Sequence, residues 1–226
     1  MEGTKDTEFS NQLRVTDRGL DIYRDFVHFV PEDMVQNALL VNVGGGENQT
    51  FEKQLKVIRP DIKVITLDPS VFTENAIYQV EAKDSFKLLS VDEIKERAKN
   101  LPNKAGTIKA YGQNMPLRSN LADVVLDVHA ASQWAKNMEE YKAFIKESMR
   151  VLKPGGKLYI GNVYFGDPIP GDKKSENSSL KQARKVFEEL SLNSEVFLSQ
   201  ESILSEFRGK KDVADNRVCA IITKQV

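Results

Sequence analysis

The sequence predicts an α/β fold, a mostly parallel sheet covered by helices on both faces. Three observations carry this. Short apolar runs of strand character alternate with helical stripes through most of the chain. One such run, Ala38-Leu39-Leu40-Val41-Asn42-Val43, enters Gly44-Gly45-Gly46 and then a helical pattern, the strand–turn–helix unit that opens many parallel sheets. Finally, a chain of 226 residues with 40% hydrophobic and 29% charged residues can bury one large core, which excludes a disordered or fibrous chain.

The elements follow in order. Ile22, Tyr23, Phe26, Val27 and Val30 recur at helical spacing until Pro31. After the first strand and its glycines, Asn48 is placed to cap a helix whose apolar stripe is Phe51, Leu55 and Ile58. Pro60-Asp61 stops it, and residues 62–67 form a second strand with Asp68 at its carboxyl end. Ser90-Val91-Asp92-Glu93 reads as a capping box. Strands are expected over Thr107–Tyr111, Ala122–Asp127 and Lys157–Asn162. A long helix carries Met138, Tyr141, Ile145, Met149 and Leu152, and Pro154-Gly155-Gly156 turns it into the fifth strand. Leu180, Ala183, Val186, Phe187 and Leu190 mark another helix, with late strands near Glu195–Leu198 and Arg217–Lys224. Phe165–Ser178 reads as a long loop on the carboxyl edge, where ligands bind in open α/β sheets. The chain divides into a helical extension, residues 1–37, and a main domain, residues 38–226.

Composition narrows the function. With 32 basic and 33 acidic residues the net charge is −1, so no global field favours nucleic acid. No apolar run approaches the ~20 residues of a membrane span, and no secretory signal is visible in the sequence, so a cytoplasmic protein is expected. The single cysteine, Cys219, lies in the apolar run 218–222 and reads as a buried thiol. His28 and His129 are the only histidines, too few for a histidine–cysteine metal cluster.

The glycine loop is the first chemical signal. Without Cβ atoms it lets a ligand lie against the backbone, and the following helix offers free N–H groups. Asp68 comes 22 residues after Gly46, at the end of the next strand, where a carboxylate can accept ribose hydroxyls. This pair does not choose the cofactor. A dinucleotide fingerprint needs a glycine where Gln49 stands, and no Tyr-x-x-x-Lys pair occurs.

The remaining motifs resemble the class I S-adenosylmethionine-dependent methyltransferases, in the methyltransferase-11 or UbiE-like branch. Leu40 to Gly46 looks like that family's first motif and Thr66-Leu67-Asp68 its second. Gly112 to Leu117 with Ala122 to Leu126 is similar to its Leu-Pro-Phe turn and following strand. Arg150-Val151-Leu152-Lys153-Pro154-Gly155-Gly156 matches its signature letter for letter. The resemblance implies a Rossmann-like sheet of seven strands, the last antiparallel, with S-adenosylmethionine as cofactor. It implies that Asn42, Gly44, Gly45 and Gly46 face the methionine end, Asp68 the ribose, Tyr111, Gly112 and Gln113 the adenine, and Asp127 the methionine or reacting methyl. His129 is the candidate base and Trp134 a candidate pocket aromatic. An acid is usual in the family where Asn42 stands, and another where Tyr111 stands. Three functions therefore stay open: a methyltransferase acting on a small molecule, a non-catalytic cofactor-binding or regulatory module, and a nicotinamide-dependent enzyme.

Overall fold

The computed structural model describes residues 14–17, 19–45, 49–68, 77–82, 85–88, 107–108, 110–128, 130–135, 137–161, 173–201 and 215–225. The strands are β1 (Arg14–Asp17), β2 (Leu39–Val43), β3 (Lys63–Leu67), β4 (Ile77–Ala82), β5 (Ser85–Leu88), β6 (Thr107–Ile108), β7 (Ala122–Val128), β8 (Leu152–Gly161), β9 (Asn193–Glu201) and β10 (Asp215–Thr223). The helices are α1 (Leu20–Val27), α2 (Thr50–Ile58), the single turn α3 (Ala131–Trp134), α4 (Met138–Val151) and α5 (Lys173–Glu189).

Seven strands form the main sheet in the order β6-β3-β2-β7-β8-β10-β9. The pairings from β6 to β8 are parallel, and β10 runs antiparallel to both its neighbours. Only β10 is therefore reversed. The chain winds outward from β2 in one direction, then returns to β7 and winds the other way. That reversal opens a crevice at the carboxyl ends of β2 and β7, where open α/β sheets take their ligands.

Alternation along the strands explains the two layers. Leu40, Val124, Leu126, Val128 and Tyr159 pack with Tyr23, Phe26, Phe51 and Leu55 from α1 and α2. Val41, Val43, Val125, Leu158 and Ile160 pack with Tyr141, Phe144 and Ile145 of α4 and Phe187 of α5. Successive residues thus serve opposite faces, and a strand buried on both reads as a continuous apolar run. Cys219, the single cysteine, is fully buried. Among the described residues no helix is long and apolar enough to cross a membrane.

Helix α1 is integral to its face. Tyr23 and Phe26 are each 2% exposed and Val27 fully buried. The Tyr23 and Phe51 ring centroids are 4.1 Å apart, and Phe29 meets Tyr159 edge-on at 5.5 Å. Arg59, at the end of α2, donates to the carbonyls of Pro31, Met34 and Val35 and pairs with Asp61. This fastens the segment between α1 and β2.

Several boundaries differ from the sequence reading. Helix α1 ends at Val27 because His28 takes a left-handed conformation, φ 55°, and Pro31 starts a 3-10 turn instead of ending the helix. Gln49, not Asn48, occupies the N-cap of α2, with φ 53° and no side-chain cap bond; Asn48 lies outside the described residues. Strand β6 stops at Ile108, because Tyr111 opens a turn closed by the Asn114 N–H on its carbonyl. Strand β8 begins at Leu152: Ala122 pairs with Leu152 and Val124 with Lys157, so Lys153 to Gly156 bulge opposite Asp123. Lys173–Ser178, expected in a loop, is the first part of α5. The capping box at Ser90 lies outside the described residues. A second sheet, β1-β4-β5, was not anticipated; β1 pairs parallel with β4, and β4 antiparallel with β5.

Phe51 joins α1, α2 and the sheet. Phe51→Ala should lower unfolding free energy by about 3–5 kcal/mol, the range for deleting a buried aromatic. Urea unfolding monitored by circular dichroism measures it.

Candidate functional site

The site is built where three strands end together. Val43 pairs with Leu67 on one side and Asp127 on the other. Just beyond, the Gly44 N–H donates to the Leu67 carbonyl at 2.7 Å, bending the chain across the end of β3. Gly44 has φ +72°, and a Cβ there would lie 2.2 Å from the Ala130 Cβ. Two conditions exclude a side chain, the left-handed backbone and the neighbouring wall. At Gly45 a Cβ would meet Thr66 Cγ2 at 2.6 Å and the polar atoms of Asn42 and Glu52 at 2.7 Å. Both glycines are demanded by the protein's own packing. Gly46 lies outside the described residues.

Asp127 is fully buried. Its Oδ1 accepts from the Ala131 N–H at 2.7 Å and its Oδ2 from the Ser132 N–H at 2.9 Å. The carboxylate thereby caps α3 and fixes Ala130 against Gly44. Burial and the nearby Asp127 charge push the Tyr141 hydroxyl well above its ordinary pKa, so Tyr141 stays neutral.

Asp68 follows β3 at the same edge. It is 4% exposed, and its N–H donates to the Ile108 carbonyl at 3.1 Å. Tyr111 is 69% exposed, an open aromatic face beyond β6. Gly112 is buried where a Cβ would lie 2.6 Å from Ala131 Cβ and 2.9 Å from the Phe144 ring. Gln113 is half-buried. The turn that carries these residues is clamped from α4. Glu147 accepts from the Met115 N–H at 2.9 Å, and Arg150 donates to the carbonyls of Met115 and Leu117. Arg150 also pairs with Glu147 at 2.7 Å and holds that carboxyl below its usual range.

Asn42, two residues before Gly44 on β2, is fully buried. The Tyr23 hydroxyl donates to its Oδ1 at 3.2 Å, and its Nδ2 donates to Glu52 Oε1 at 2.8 Å. Thr66, opposite Asn42 in register, donates its hydroxyl to the same Glu52 oxygen at 2.6 Å. The sequence reading missed Tyr23 and Glu52 as members of this edge, and named Thr66 only as part of the second motif. Their joining depends on cross-strand register and on how α2 lies over the sheet, neither of which has a local sequence mark.

The structure therefore gathers Asn42, Gly44, Gly45, Asp68 and Asp127 at the ends of adjoining strands, with Tyr111 to Gln113 on the turn after β6. His129 and the side chain of Trp134 lie outside the described residues. Among the described residues no cluster of histidine, cysteine or carboxylate side chains is suited to a metal ion.

Comparison with known proteins agrees with this geometry. Residues 73–160 match the methyltransferase-11 family model, described as a methyltransferase domain. No curated protein matches in sequence. Among solved structures, a chain of the Haloferax volcanii complex between a methyltransferase activator and a methyltransferase is similar, with TM-score 0.54 and 15% identity, covering 91% of this chain and 92% of that one. A Methanococcus maripaludis protein described as an S-adenosyl-L-methionine-dependent methyltransferase has TM-score 0.50 and 15% identity, covering 92% and 90%. A Haemonchus contortus phosphoethanolamine N-methyltransferase, solved with phosphomonomethylethanolamine and S-adenosylhomocysteine, has TM-score 0.57 and 15% identity, covering 92% of this chain and 52% of that one.

Gly44 and Gly155 form a controlled pair, because Gly155 has φ +77° with nothing within 4 Å of its Cβ position. Gly155→Ala should cost only the left-handed backbone, about 1–2 kcal/mol. Gly44→Ala should cost more by about 1–3 kcal/mol, the overpacking range. Equal losses in denaturant unfolding without any ligand would contradict the proposed wall.

Proposed function

We propose that this chain, which carries a methyltransferase-11 domain on a class I methyltransferase fold, transfers a methyl group from S-adenosylmethionine to a small-molecule acceptor. The observation that carries the reading is the close approach at the end of β2, where Gly44 and Gly45 leave no room for a side chain and buried Asp68 follows the adjoining strand.

The donor set suits that cofactor. The Gly44–Gly45 backbone can lie against its methionine end, since neither residue has room for a side chain of its own. Asp68 is placed to accept ribose hydroxyls. Tyr111 offers an open ring on which adenine can stack, and the Glu147–Arg150 clamp keeps that turn in place. Asp127 acts through α3, since both its oxygens already accept from backbone. Any contact of its own with the methionine end is additional to that task.

When bound, the cofactor supplies an activated methyl on a sulfonium. The protein's part is alignment of the acceptor and exclusion of water. His129, directly after β7, is the candidate to remove a proton from the acceptor, with a side chain whose ordinary pKa suits neutral pH. Trp134 is the candidate aromatic of the acceptor pocket. We propose acceptor entry between residues 21–30 and the segment Phe165–Ser178, of which residues 165–172 lie outside the described residues. Support comes from α1 lying over the carboxyl end of β8, where a Cβ at Gly161 would meet Phe26 and Val27. In this reading the extension, residues 1–37, contributes α1 as the cover of the site, and 38–226 form the catalytic domain. A net charge of −1 gives no general attraction for nucleic acid, which favours a small acceptor.

Asp68→Ala should weaken S-adenosylhomocysteine binding by about 1.5–3 kcal/mol, the range for hydrogen bonds to a charged group. Unchanged affinity in a folded variant, measured by calorimetry, would remove Asp68 from the ribose site.

A further inference from the structure

We propose that Glu52, on the first turn of α2, supplies the carboxylate that receives the α-ammonium of the cofactor's methionine end. The inference rests on the cofactor reading above and adds to it a residue outside the glycine motif.

Four observations lead there. The strand-end side chain at position 42 is an amide, so it brings no charge to the crevice. That amide is also committed at both ends, Oδ1 to the Tyr23 hydroxyl and Nδ2 to Glu52. Asn42 thus orients Glu52. The Glu52 carboxylate comes up against the glycine loop itself, its Oε1 only 2.7 Å from the position of a Cβ on Gly45. Finally, Thr66 from β3 donates to the same oxygen at 2.6 Å. Three elements, β2, β3 and α2, converge to hold one carboxylate oxygen beneath one glycine.

A group lying on the Gly44–Gly45 backbone therefore meets a fixed negative charge, half-buried and felt more strongly than in water. It also meets the N-terminal end of α2, whose aligned peptides favour an anion. A negative point beside a helix N-terminus is complementary to a zwitterionic amino-acid end, ammonium to Glu52 and carboxylate toward the helix. Asn42 and Thr66 are positioning residues in this arrangement, because they act through Glu52.

The test compares two ligands that share adenosine and a thioether. S-adenosylhomocysteine has the amino-acid end, and 5′-methylthioadenosine lacks it. Glu52→Gln keeps an acceptor oxygen for Asn42 and Thr66 and removes only the charge. Calorimetric affinity for S-adenosylhomocysteine should fall about tenfold to a hundredfold, the fold-change expected for one charged hydrogen-bonded contact. Affinity for 5′-methylthioadenosine should stay within about twofold of the parent. Adding Asn42→Asp to Glu52→Gln returns a carboxylate to the same hydrogen-bonded pair and should restore the preference for the amino-acid ligand. Equal weakening of both ligands would mean that Glu52 only braces the loop, and no weakening would mean that the ammonium lies elsewhere. Either result overturns the proposal, as does a folded double variant that does not recover the preference. If the unaltered protein binds neither ligand, the cofactor reading itself fails and this proposal with it.

Discussion

The arrangement of this protein turns on one contact, Gly44 against Ala130. At that point the turn after the first main-sheet strand and the segment after the fourth approach until no methyl group fits between them. Two polar restraints set the distance. The Gly44 N–H is tied to β3, and Asp127 caps α3 so that Ala130 is held in place. The buried carboxylate is tolerable because both oxygens accept from backbone. The close approach of these two segments at the switch point is thus a consequence of the chain's own packing.

The motif with the closest match to a known family, Arg150 to Gly156, braces the candidate site from outside it. Arg150 clamps the turn that bears Tyr111 to Gln113, through the carbonyls of Met115 and Leu117 and through Glu147. Lys153 pairs with both oxygens of Asp123 at 2.8 Å, and Asp123 accepts the Leu39 N–H at the start of β2. Gly155 and Gly156 exchange backbone hydrogen bonds with Lys224. These residues lock the ends of β2, β7, β8 and β10 together, so the signature identifies a scaffold more than a reaction.

Much of the fold was legible because the central strands are buried on both faces and read as mainly apolar runs, Leu39–Val43 and Ala122–Val128 among them. The stripe of α4 was equally plain, with Tyr141 and Ile145 of that stripe fully buried. Boundaries failed where backbone conformation decides: His28 and Gln49 adopt positive φ without being glycine, and nothing in their side chains announces it. The sheet of β1, β4 and β5 was missed because β1 and β4 are separated by some sixty residues of chain and their pairing leaves no local mark. The glycine loop and Asp68 were readable from spacing, whereas the Tyr23–Asn42–Glu52–Thr66 chain of hydrogen bonds exists only once register and helix placement are fixed.

If the edge where β3, β2 and β7 end together receives S-adenosylmethionine, the folded chain must bind it in solution. Calorimetric titration of the full chain with S-adenosylmethionine, S-adenosylhomocysteine and NAD tests it most directly. The account predicts saturable one-site binding of the first two and none of NAD. Binding of NAD alone, or of none of the three by the folded protein, would contradict it.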